Sequence, residues 1–413
     1  MQIKWCRIAL TGLMGSCLAG CAHVTAPTPL SGFASANISQ AAHLRNERML
    51  AASQKRDIPV PRDFRRLMDA AMHTNWPAVS NAYARVWPRS HQYESNRRLD
   101  PRITTELWNP VHETYWIAYY FAEGWSARLA QDYVSALLEN LPENSLVFAG
   151  TDTSRFVAAP LAENGLRPDL FFISLNALAD SLYMDYVEDV YGNRLWIPNP
   201  DQRLAAFKRL IDEVKTGRYA TPFIKADGSA IPVVGVEGIG EINAVLVEDI
   251  HQHNQSAHRV FFDEGYSHPR LRPRLKPHGL LLELCPEPIV SISPEEVADD
   301  MAYWDKLEKT LFATPGFADS QAPRLTYAVM RAAIARVYAV RYMAEPAEKA
   351  FQQAMRLAPF VCNAHYDYVM LCLIPRGETE KAMDLLDQLI KQYPNHQAYR
   401  DIRDQLPTSP KQR

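Results

Sequence analysis

The sequence predicts an α/β region built on a parallel sheet, with helices before it and an all-helical region after it. Short apolar runs at 145–149 and 170–175 are separated by a helical pattern. Strands that alternate with helices in this way are typical of a parallel sheet with helical crossovers. Helical patterning also begins near Arg62 and covers the last ninety or so residues. We therefore predict a Rossmann-like central domain, N-terminal helices and a C-terminal pair of tetratricopeptide-like helical hairpins.

Five strands are predicted in the α/β region, at residues 145–149, 170–175, 194–197, 260–263 and 279–284. Helices are expected between the first three strands, over 200–217 and near 239–253. Asp227 and Gly228 lie between two apolar segments and indicate a hairpin turn.

The C-terminal region contains an internal repeat. Four positions recur at an offset of 35 residues: Ala347, Phe351, Ala354 and Pro359 are matched by Ala382, Leu386, Leu389 and Pro394. The tetratricopeptide spacing is about 34 residues, with small residues where two helices approach closely and a proline after the second helix. Two repeats are fewer than a solenoid needs, so we expect them to pack on other helices and to offer a surface to a protein partner.

The N-terminus has the pattern of a lipoprotein signal peptide. Lys4 and Arg7 precede an eleven-residue apolar stretch, 8–18, and small residues then lead to Cys21. This stretch is too short to span a membrane, and its order of charge, apolar core and small residues is typical of an export signal. The segment from Leu18 to Cys21 resembles the bacterial lipobox, which implies lipidation of Cys21 with acyl chains such as palmitate. Ala22 after this cysteine favours an outer-membrane location facing the periplasm.

The predicted domains follow from these patterns. They are a signal peptide (1–20), a flexible tether (21–60), an N-terminal helical region (61–140), the α/β domain (141–290), a helical linker (291–322) and two repeats (323–406). The chain has 44 Lys and Arg residues against 47 Asp and Glu residues, a formal net charge of −3. Proteins that bind nucleic acid usually carry a clear basic excess, so we expect no nucleic acid partner.

An aromatic-rich segment between residues 110 and 140 is predicted to form one helix. It contains Tyr115, Trp116, Tyr119, Tyr120, Trp125 and Tyr133. Core packing is the favoured interpretation of such a stripe, and a surface that stacks on sugars is the alternative.

Polar residues follow the first two predicted strands. They are Thr151, Asp152 and Arg155 after the first strand, and Asn176 and Asp180 after the second. Ligands of parallel sheets bind at the carboxyl ends of the strands, so we predict that these five residues bind a polar ligand such as a sugar or a phosphate. The alternative is that they cap helices and stabilise turns.

A second cluster is basic. Arg270, Arg272, Arg274 and Lys276 lie among prolines between 269 and 278, which favours an extended, exposed loop that contacts an anionic surface. His251 and His253 are two residues apart on a predicted helix and point to different sides, so no metal site is predicted. No cofactor motif is present either.

The segments 141–156, 165–169, 176–180 and 259–282 resemble the soluble C-terminal part of bacterial multi-pass membrane proteins related to protein O-mannosyltransferases. The likeness is to tetratricopeptide-containing versions from Verrucomicrobia-type bacteria and spans about residues 60–400. It implies an extramembrane α/β module with repeats. The membrane-embedded part that would carry the catalytic carboxylate is not present in this sequence, so glycosyl transfer does not carry over.

These observations predict a membrane-anchored lipoprotein that acts as a non-enzymatic binding or scaffold module in the assembly of envelope glycans or glycoproteins. Its expected partners are the membrane, a protein held by the repeats, and a glycan. A sugar-active enzyme that uses the strand-end carboxylates is the first alternative, and a purely structural envelope protein is the second.

Overall fold

The computed structural model describes residues 30–90, 100–217, 236–263, 268, 270–360, 362–395 and 397–406. Two compact units divide the chain between Pro288 and Ile289. We call them the mixed unit (described residues up to 288) and the helical unit (described residues from 289). The described chain is mostly helical and contains one small mixed sheet. Cys21 and the Asp227–Gly228 turn lie outside the described residues.

The mixed unit contains nine α-helices and the sheet. The helices are α1 (Gly32–Arg56), α2 (Arg62–Met72), α3 (Trp76–Ser90), α4 (Trp108–Tyr119), α5 (Ala127–Leu138), α6 (Ala159–Leu161), α7 (Ser181–Tyr191), α8 (Pro200–Lys215) and α9 (Val236–Asn254). Turns of π-helix extend α4 (Tyr120–Gly124) and flank α6 (Ser154–Ala158 and Ala162–Leu166). The strands are β1 (Leu146–Ala149), β2 (Phe171–Ser174), β3 (Val260–Phe262), β4 (Leu275–His278) and β5 (Leu281–Leu284).

The sheet has the strand order β2-β1-β3-β5-β4. β1 pairs in parallel with β2 and β3, and β5 pairs antiparallel with β3 and β4. Every residue of β1, β2 and β3 is buried, as expected for parallel strands that are covered on both faces. The prediction of parallel strands is therefore confirmed, in a sheet that is mixed rather than fully parallel.

The predicted strand at 194–197 is wrong, because this segment is held by a side chain instead of a neighbouring strand. Asn254, at the end of α9, accepts the Trp196 N–H at 2.9 Å and donates to the Trp196 carbonyl at 2.9 Å. The His253 ring stacks on the Trp196 ring at a centroid distance of 3.8 Å. The third parallel strand is instead β3.

The predicted tether is wrong over α1, which is a 25-residue helix packed into the mixed unit. Ser31 caps it by accepting the Ala34 N–H at 3.1 Å. Its buried apolar residues are mostly alanines, whose small side chains give a weak amphipathic pattern. The helix also buries Arg45, which is 2% exposed. Tertiary contacts therefore stabilise α1 where the sequence pattern indicated a flexible chain.

Two further predictions change. The single aromatic helix is two helices, because α4 ends in the π turn Tyr120–Gly124 and Ser126 caps the new helix α5 by accepting the Leu129 N–H. The predicted extended loop 269–278 contains a 3-10 turn, Arg272–Arg274, followed by β4. β4 lies at the edge of the sheet, where its Pro277 is tolerated because that residue donates no ladder hydrogen bond.

The helical unit contains α10 (Pro294–Ala313), α11 (Gln321–Ala339), α12 (Ala344–Leu357), α13 (Cys362–Tyr368), α14 (Thr379–Gln392) and α15 (Gln397–Gln405). The predicted linker, 291–322, is mainly α10, which starts in a capping box formed by Ser293 and Glu296. The six repeated non-proline positions are all buried. Pro359 and Pro394 each lie two residues beyond a helix end, so the offset of 35 residues is also an offset between two helix pairs.

Candidate functional site

The carboxyl ends of β1 and β3 are joined by a buried carboxylate that sequence reasoning missed. Asp263 directly follows β3 and is 1% exposed. It accepts the Gly150 N–H at 2.6 Å, the Thr151 N–H at 3.1 Å and the Thr151 hydroxyl at 2.5 Å. Burial raises the pKa of Asp263, and these donors oppose the rise. The rule that located residues after β1 and β2 would also have located Asp263, had it been applied to β3.

Three of the five predicted ligand residues have structural roles. Thr151 binds Asp263 and also accepts the Ser154 N–H at 3.2 Å, which caps the start of the helical segment there. Asn176 donates to the Gly150 carbonyl at 3.1 Å, so the turns after β1 and β2 are neighbours as predicted. Asp180 caps α7 by accepting the Leu182 N–H at 2.9 Å. Capping and turn formation, the alternative interpretation, therefore describe these three side chains.

Asp152 and Arg155 reach the surface beside these turns. The Asp152 side chain is 40% exposed and lies 3.5 Å from the Arg155 guanidinium. Asp152 also accepts a hydrogen bond from the Tyr120 hydroxyl at 3.2 Å. Burial and the nearby Asp152 carboxylate raise the pKa of Tyr120, which keeps that phenol a donor. The Arg155 guanidinium lies 4.8 Å from the centre of the Phe156 ring, a cation–π contact.

A continuous group of aromatic rings leads away from this pair, and we call it the aromatic band. It consists of Trp76, Tyr83, Trp87, Trp108, His112, Tyr115, Trp116, Tyr119, Tyr120 and Phe156. Tyr83 and Tyr115 stack face to face at 3.6 Å, and Trp116 stacks with Phe156 at 6.1 Å. The band therefore runs from the start of α3, along α4, to the turn after β1.

Most of the band is half-buried rather than in the core. The core face of α4 is formed by Val111, Thr114, Ile117 and Ala118, and the aromatic residues of that helix lie on another face. The predicted core packing holds for Trp125 and Tyr133, which are 6% and 0% exposed. Tyr115, Trp116 and Tyr119 are half-buried and give the surface an aromatic character.

A polar cavity of about 40 Å³ lies between the helices and the sheet. Its charged and polar lining comes from α1, α4, α7, β2 and the segment around α6, and comprises Arg45, Arg48, Glu113, Arg155, Glu163, Ser174, Tyr183, Tyr186 and Tyr191. This cluster was not predicted, because its members are far apart in sequence and two of them lie in the expected tether.

The cavity residues form a closed ring of ion pairs and hydrogen bonds. Arg45 contacts Glu113 at 3.2 Å through Nε and Glu163 at 2.7 Å through Nη2. Arg48 donates to Glu163 at 3.0 Å and to the Tyr186 hydroxyl at 3.3 Å. Tyr186 closes the ring by donating to Glu113 at 2.9 Å.

Electrostatics hold this ring in its charged form. Burial alone would raise the pKa of Glu163, but Arg45 and Arg48 outweigh it and lower that pKa to about 2. Burial and the neighbouring carboxylates raise the pKa of Tyr186, so its hydroxyl keeps its proton. The ring therefore consists of three ion-pair contacts in a row, and the protonated phenol of Tyr186 closes it.

The basic segment is partly neutralised. Arg270, which was predicted to contact an anionic surface, has an 11% exposed side chain that pairs with Glu213 at 2.5 Å and Glu248 at 2.9 Å. These ion pairs offset the charge of Arg270 within the protein, and its contact with an anionic surface stays a prediction. Lys276 lies 3.9 Å from Glu283. Arg272 and Arg274 are half-buried, and an anionic contact through these two residues stays a prediction.

In the described ranges, no group of three or more His, Cys, Asp or Glu residues could hold a metal ion. His251 is 2% exposed, and burial lowers its pKa to about 4. None of the helices in these ranges is long and apolar enough to cross a membrane.

Comparisons with known proteins found no matching protein family, no matching curated protein and no matching solved structure.

Proposed function

We propose that this chain is an exported lipoprotein whose mixed unit binds a glycan at the aromatic band, while its helical unit holds a protein partner. The observation that carries the proposal is the band itself, half-buried and ending at Asp152 and Arg155. The apolar C–H face of a sugar ring packs well on aromatic rings. The Tyr hydroxyl and Trp N–H groups at the edges of such rings can form hydrogen bonds with the sugar. A carboxylate and a guanidinium beside the rings would bind sugar hydroxyls and fix the orientation of the ligand.

Binding is tested by titrating the full chain with neutral and acidic oligosaccharides and following tryptophan fluorescence. We expect one sugar class to bind. Trp116→Ala should weaken its affinity by roughly tenfold, about 1–2 kcal/mol, because a stacking ring is lost. Asp152→Ala should also weaken binding while the melting temperature stays nearly unchanged, since this side chain is 40% exposed.

The matched control is Tyr342→Ala, which removes an aromatic side chain that is 94% exposed in the helical unit. This variant should bind the sugar as the parent does. Failure of every oligosaccharide to bind, or equal affinity in the parent and Trp116→Ala, would contradict the proposal.

The predicted strand-end carboxylates favour binding over catalysis. A glycosidase needs two carboxyl groups that both face the scissile bond. Asp180 caps α7 and Asp263 is held by the turn at Gly150 and Thr151, so of these three carboxylates Asp152 alone lies beside the aromatic band. Another carboxylate at the band, Glu123, accepts the Trp76 indole N–H at 2.6 Å. The alternative, a sugar-active enzyme, predicts hydrolysis or transfer that is abolished in Asp152→Asn while sugar binding remains.

For the helical unit we propose a tetratricopeptide-like pair of hairpins that docks a protein. The buried positions at an offset of 35 residues support it. We also propose that the three parallel strands belong to a Rossmann-like domain. Because the sequence resembles the soluble part of proteins related to membrane glycosyltransferases, the expected partner of the hairpins is a membrane glycosyltransferase. Removal of residues 289–413 should abolish copurification of that enzyme and leave sugar binding intact. A structural envelope protein would show neither activity.

We further propose that a lipid on Cys21 anchors the chain to the outer membrane, with both units facing the periplasm. The segment 4–21 supports this part of the proposal. The parent should incorporate labelled palmitate and sediment with outer membranes, and Cys21→Ala should do neither. A Cys21→Ala variant that stays membrane-bound would contradict the anchor.

A further inference from the structure

The cavity in the mixed unit has unsatisfied hydrogen-bond donors. Arg45 uses Nε for Glu113 and Nη2 for Glu163, whereas its Nη1 is buried with no hydrogen-bond partner in the described chain. The Ser174 hydroxyl, at the carboxyl end of β2, is also buried with no hydrogen-bond partner in the described chain. Both residues line the cavity and are 2% and 6% exposed. Buried donors without a partner are costly, so a group inside the cavity would be bound favourably by them.

A third donor lines the same space. The Tyr183 hydroxyl oxygen accepts the Ser174 N–H at 2.6 Å, which leaves the hydroxyl proton to donate. Burial raises the pKa of Tyr183, so that proton is present at neutral pH. The lining therefore offers donors of three chemical kinds, a guanidinium, an aliphatic hydroxyl and a phenol.

The charge of the lining is positive. Three arginines face two glutamates, and the ring of ion pairs neutralises Arg45 and Arg48 with Glu113 and Glu163. Arg155 adds the remaining positive charge, and its own contact with Asp152 is long, at 3.5 Å. Glu163 Oε2 also lacks a hydrogen-bond partner in the described chain, but the charged Arg45 Nη2 lies 2.7 Å from it. With one net positive charge and three donors, the lining favours an anion over a cation.

The volume of the cavity limits the size of the anion that it can hold. A water molecule needs about 10–15 Å³ of such volume, so a cavity of about 40 Å³ holds roughly three water-sized groups. A carboxylate has three heavy atoms, and one of its oxygens can accept from the charged Arg45 Nη1. Arg48, Glu113 and Arg155 are each about one fifth exposed, so the lining of the cavity extends to the protein surface.

We propose that this cavity is a binding site for a small carboxylate, with Arg45, Ser174 and Tyr183 as its donors. The cavity adjoins the aromatic band, because Arg155 and Phe156 belong to both, but its proposed donors Arg45, Ser174 and Tyr183 take no part in the ring contacts of the band. Substitution of Ser174 therefore tests the cavity, and substitution of Trp116 tests glycan binding at the band.

The test is the thermal stability of the full chain, in neutral detergent, at matched ionic strength in sodium formate, acetate, phosphate or chloride. Formate or acetate should raise the melting temperature by roughly 2–4 °C over chloride, since a ligand that binds only the folded state stabilises it. Ser174→Ala should weaken this response about tenfold in concentration, because it removes one hydrogen bond to a charged ligand. In chloride its melting temperature should equal or exceed that of the parent, since the lost hydroxyl has no partner.

Ser145→Ala is the matched control, a buried serine before β1 whose hydroxyl donates to the Pro142 carbonyl at 2.8 Å. It should respond to formate and acetate as the parent does, and so should Trp116→Ala. A response equal in all four salts would overturn the proposal, as would equal responses of Ser174→Ala and the parent. A response to phosphate alone would overturn the assignment to a carboxylate.

Discussion

At the scale of single residues, the pKa values of two buried carboxyl groups in the mixed unit are shifted in opposite directions. Burial raises the pKa of Asp263, whose partners are neutral N–H and O–H groups. Glu163 is also buried, but two guanidinium groups lower its pKa to about 2. The charge of the partners, rather than burial itself, therefore decides which carboxylate favours its ionised form.

Glu163 gives a prediction about pH. Its pKa falls from 4.5 in the unfolded chain to about 2 in the folded one, so its ionised form stabilises the fold by about 3 kcal/mol above pH 5. This contribution is lost as the pH falls through 4.5 toward 2. The free energy of unfolding in urea should therefore be lower for Glu163→Gln than for the parent at pH 7. This difference should become smaller below pH 4.5.

The exposed Glu139→Gln variant is the control, and its difference from the parent should stay near zero throughout. A Glu163→Gln difference that is constant from pH 7 to pH 3 would show that the ion pairs with Arg45 and Arg48 do not form.

At the scale of elements, Asn254 replaces the strand that the sequence pattern predicted. Its amide makes two hydrogen bonds to the Trp196 backbone and one, at 2.7 Å, to the Ile250 carbonyl, and the residue is 4% exposed. Asn254→Leu should lower the free energy of unfolding by about 2–4 kcal/mol, because these backbone groups lose their partner. Amide hydrogen exchange at Trp196 should become faster.

Asn199→Ala removes an exposed amide that caps α8 by accepting the Gln202 N–H at 3.0 Å. Its cost should be about 1 kcal/mol, and exchange at Trp196 should not change. Equal protection of Trp196 in Asn254→Leu and the parent would contradict the role of this amide.

The sequence patterns correctly predicted the strands and helices whose formation depends mainly on residues close together in the chain. β1 and β2 follow from apolar runs, and α8 and α9 follow from helical periodicity. The strand at 194–197 failed because a short apolar segment does not reveal where its backbone hydrogen bonds go. α1 was missed because its stabilising contacts reach far along the chain: Arg45 binds Glu113, 68 residues away. The cavity was not predicted for the same reason, since its residues are far apart in sequence. The contact between Asn176 and Gly150 agrees with the prediction, because parallel strands bring the turns that follow them together.

At the scale of the whole molecule, each unit has its own buried core and its own buried ion pair. In the helical unit this is Arg331, 0% exposed, which joins α10 and α12 by contacting Asp300 at 2.7 Å and Gln353 at 2.8 Å. Its guanidinium also lies 5.0 Å from the Trp304 ring. The core of this unit is therefore held by a charged network as well as by apolar packing.

Arg331→Met should destabilise the helical unit by about 3–5 kcal/mol, because Asp300 is left buried without its positive partner. Since the mixed unit has a separate core, calorimetry should show one transition shifted to lower temperature and the other unchanged. Asp300→Leu added to this variant should recover much of the loss.

Arg356→Met is the matched control, since Arg356 pairs with Glu308 at 2.7 Å but is 53% exposed. Its effect should stay within about 1 kcal/mol. A shift of both transitions in Arg331→Met would show that the two units unfold together.

The early start of α1 sets a length scale for the proposed anchor. Ten residue steps separate Cys21 from Ser31, the cap of α1, and a fully extended chain of that size reaches about 35 Å. The 40-residue tether expected from sequence would have reached about 140 Å. Because the buried Arg45 holds α1 in the mixed unit, a lipid on Cys21 would connect the protein to the membrane through a short linker. Whatever the aromatic band captures would then be held within a few nanometres of the lipid headgroups.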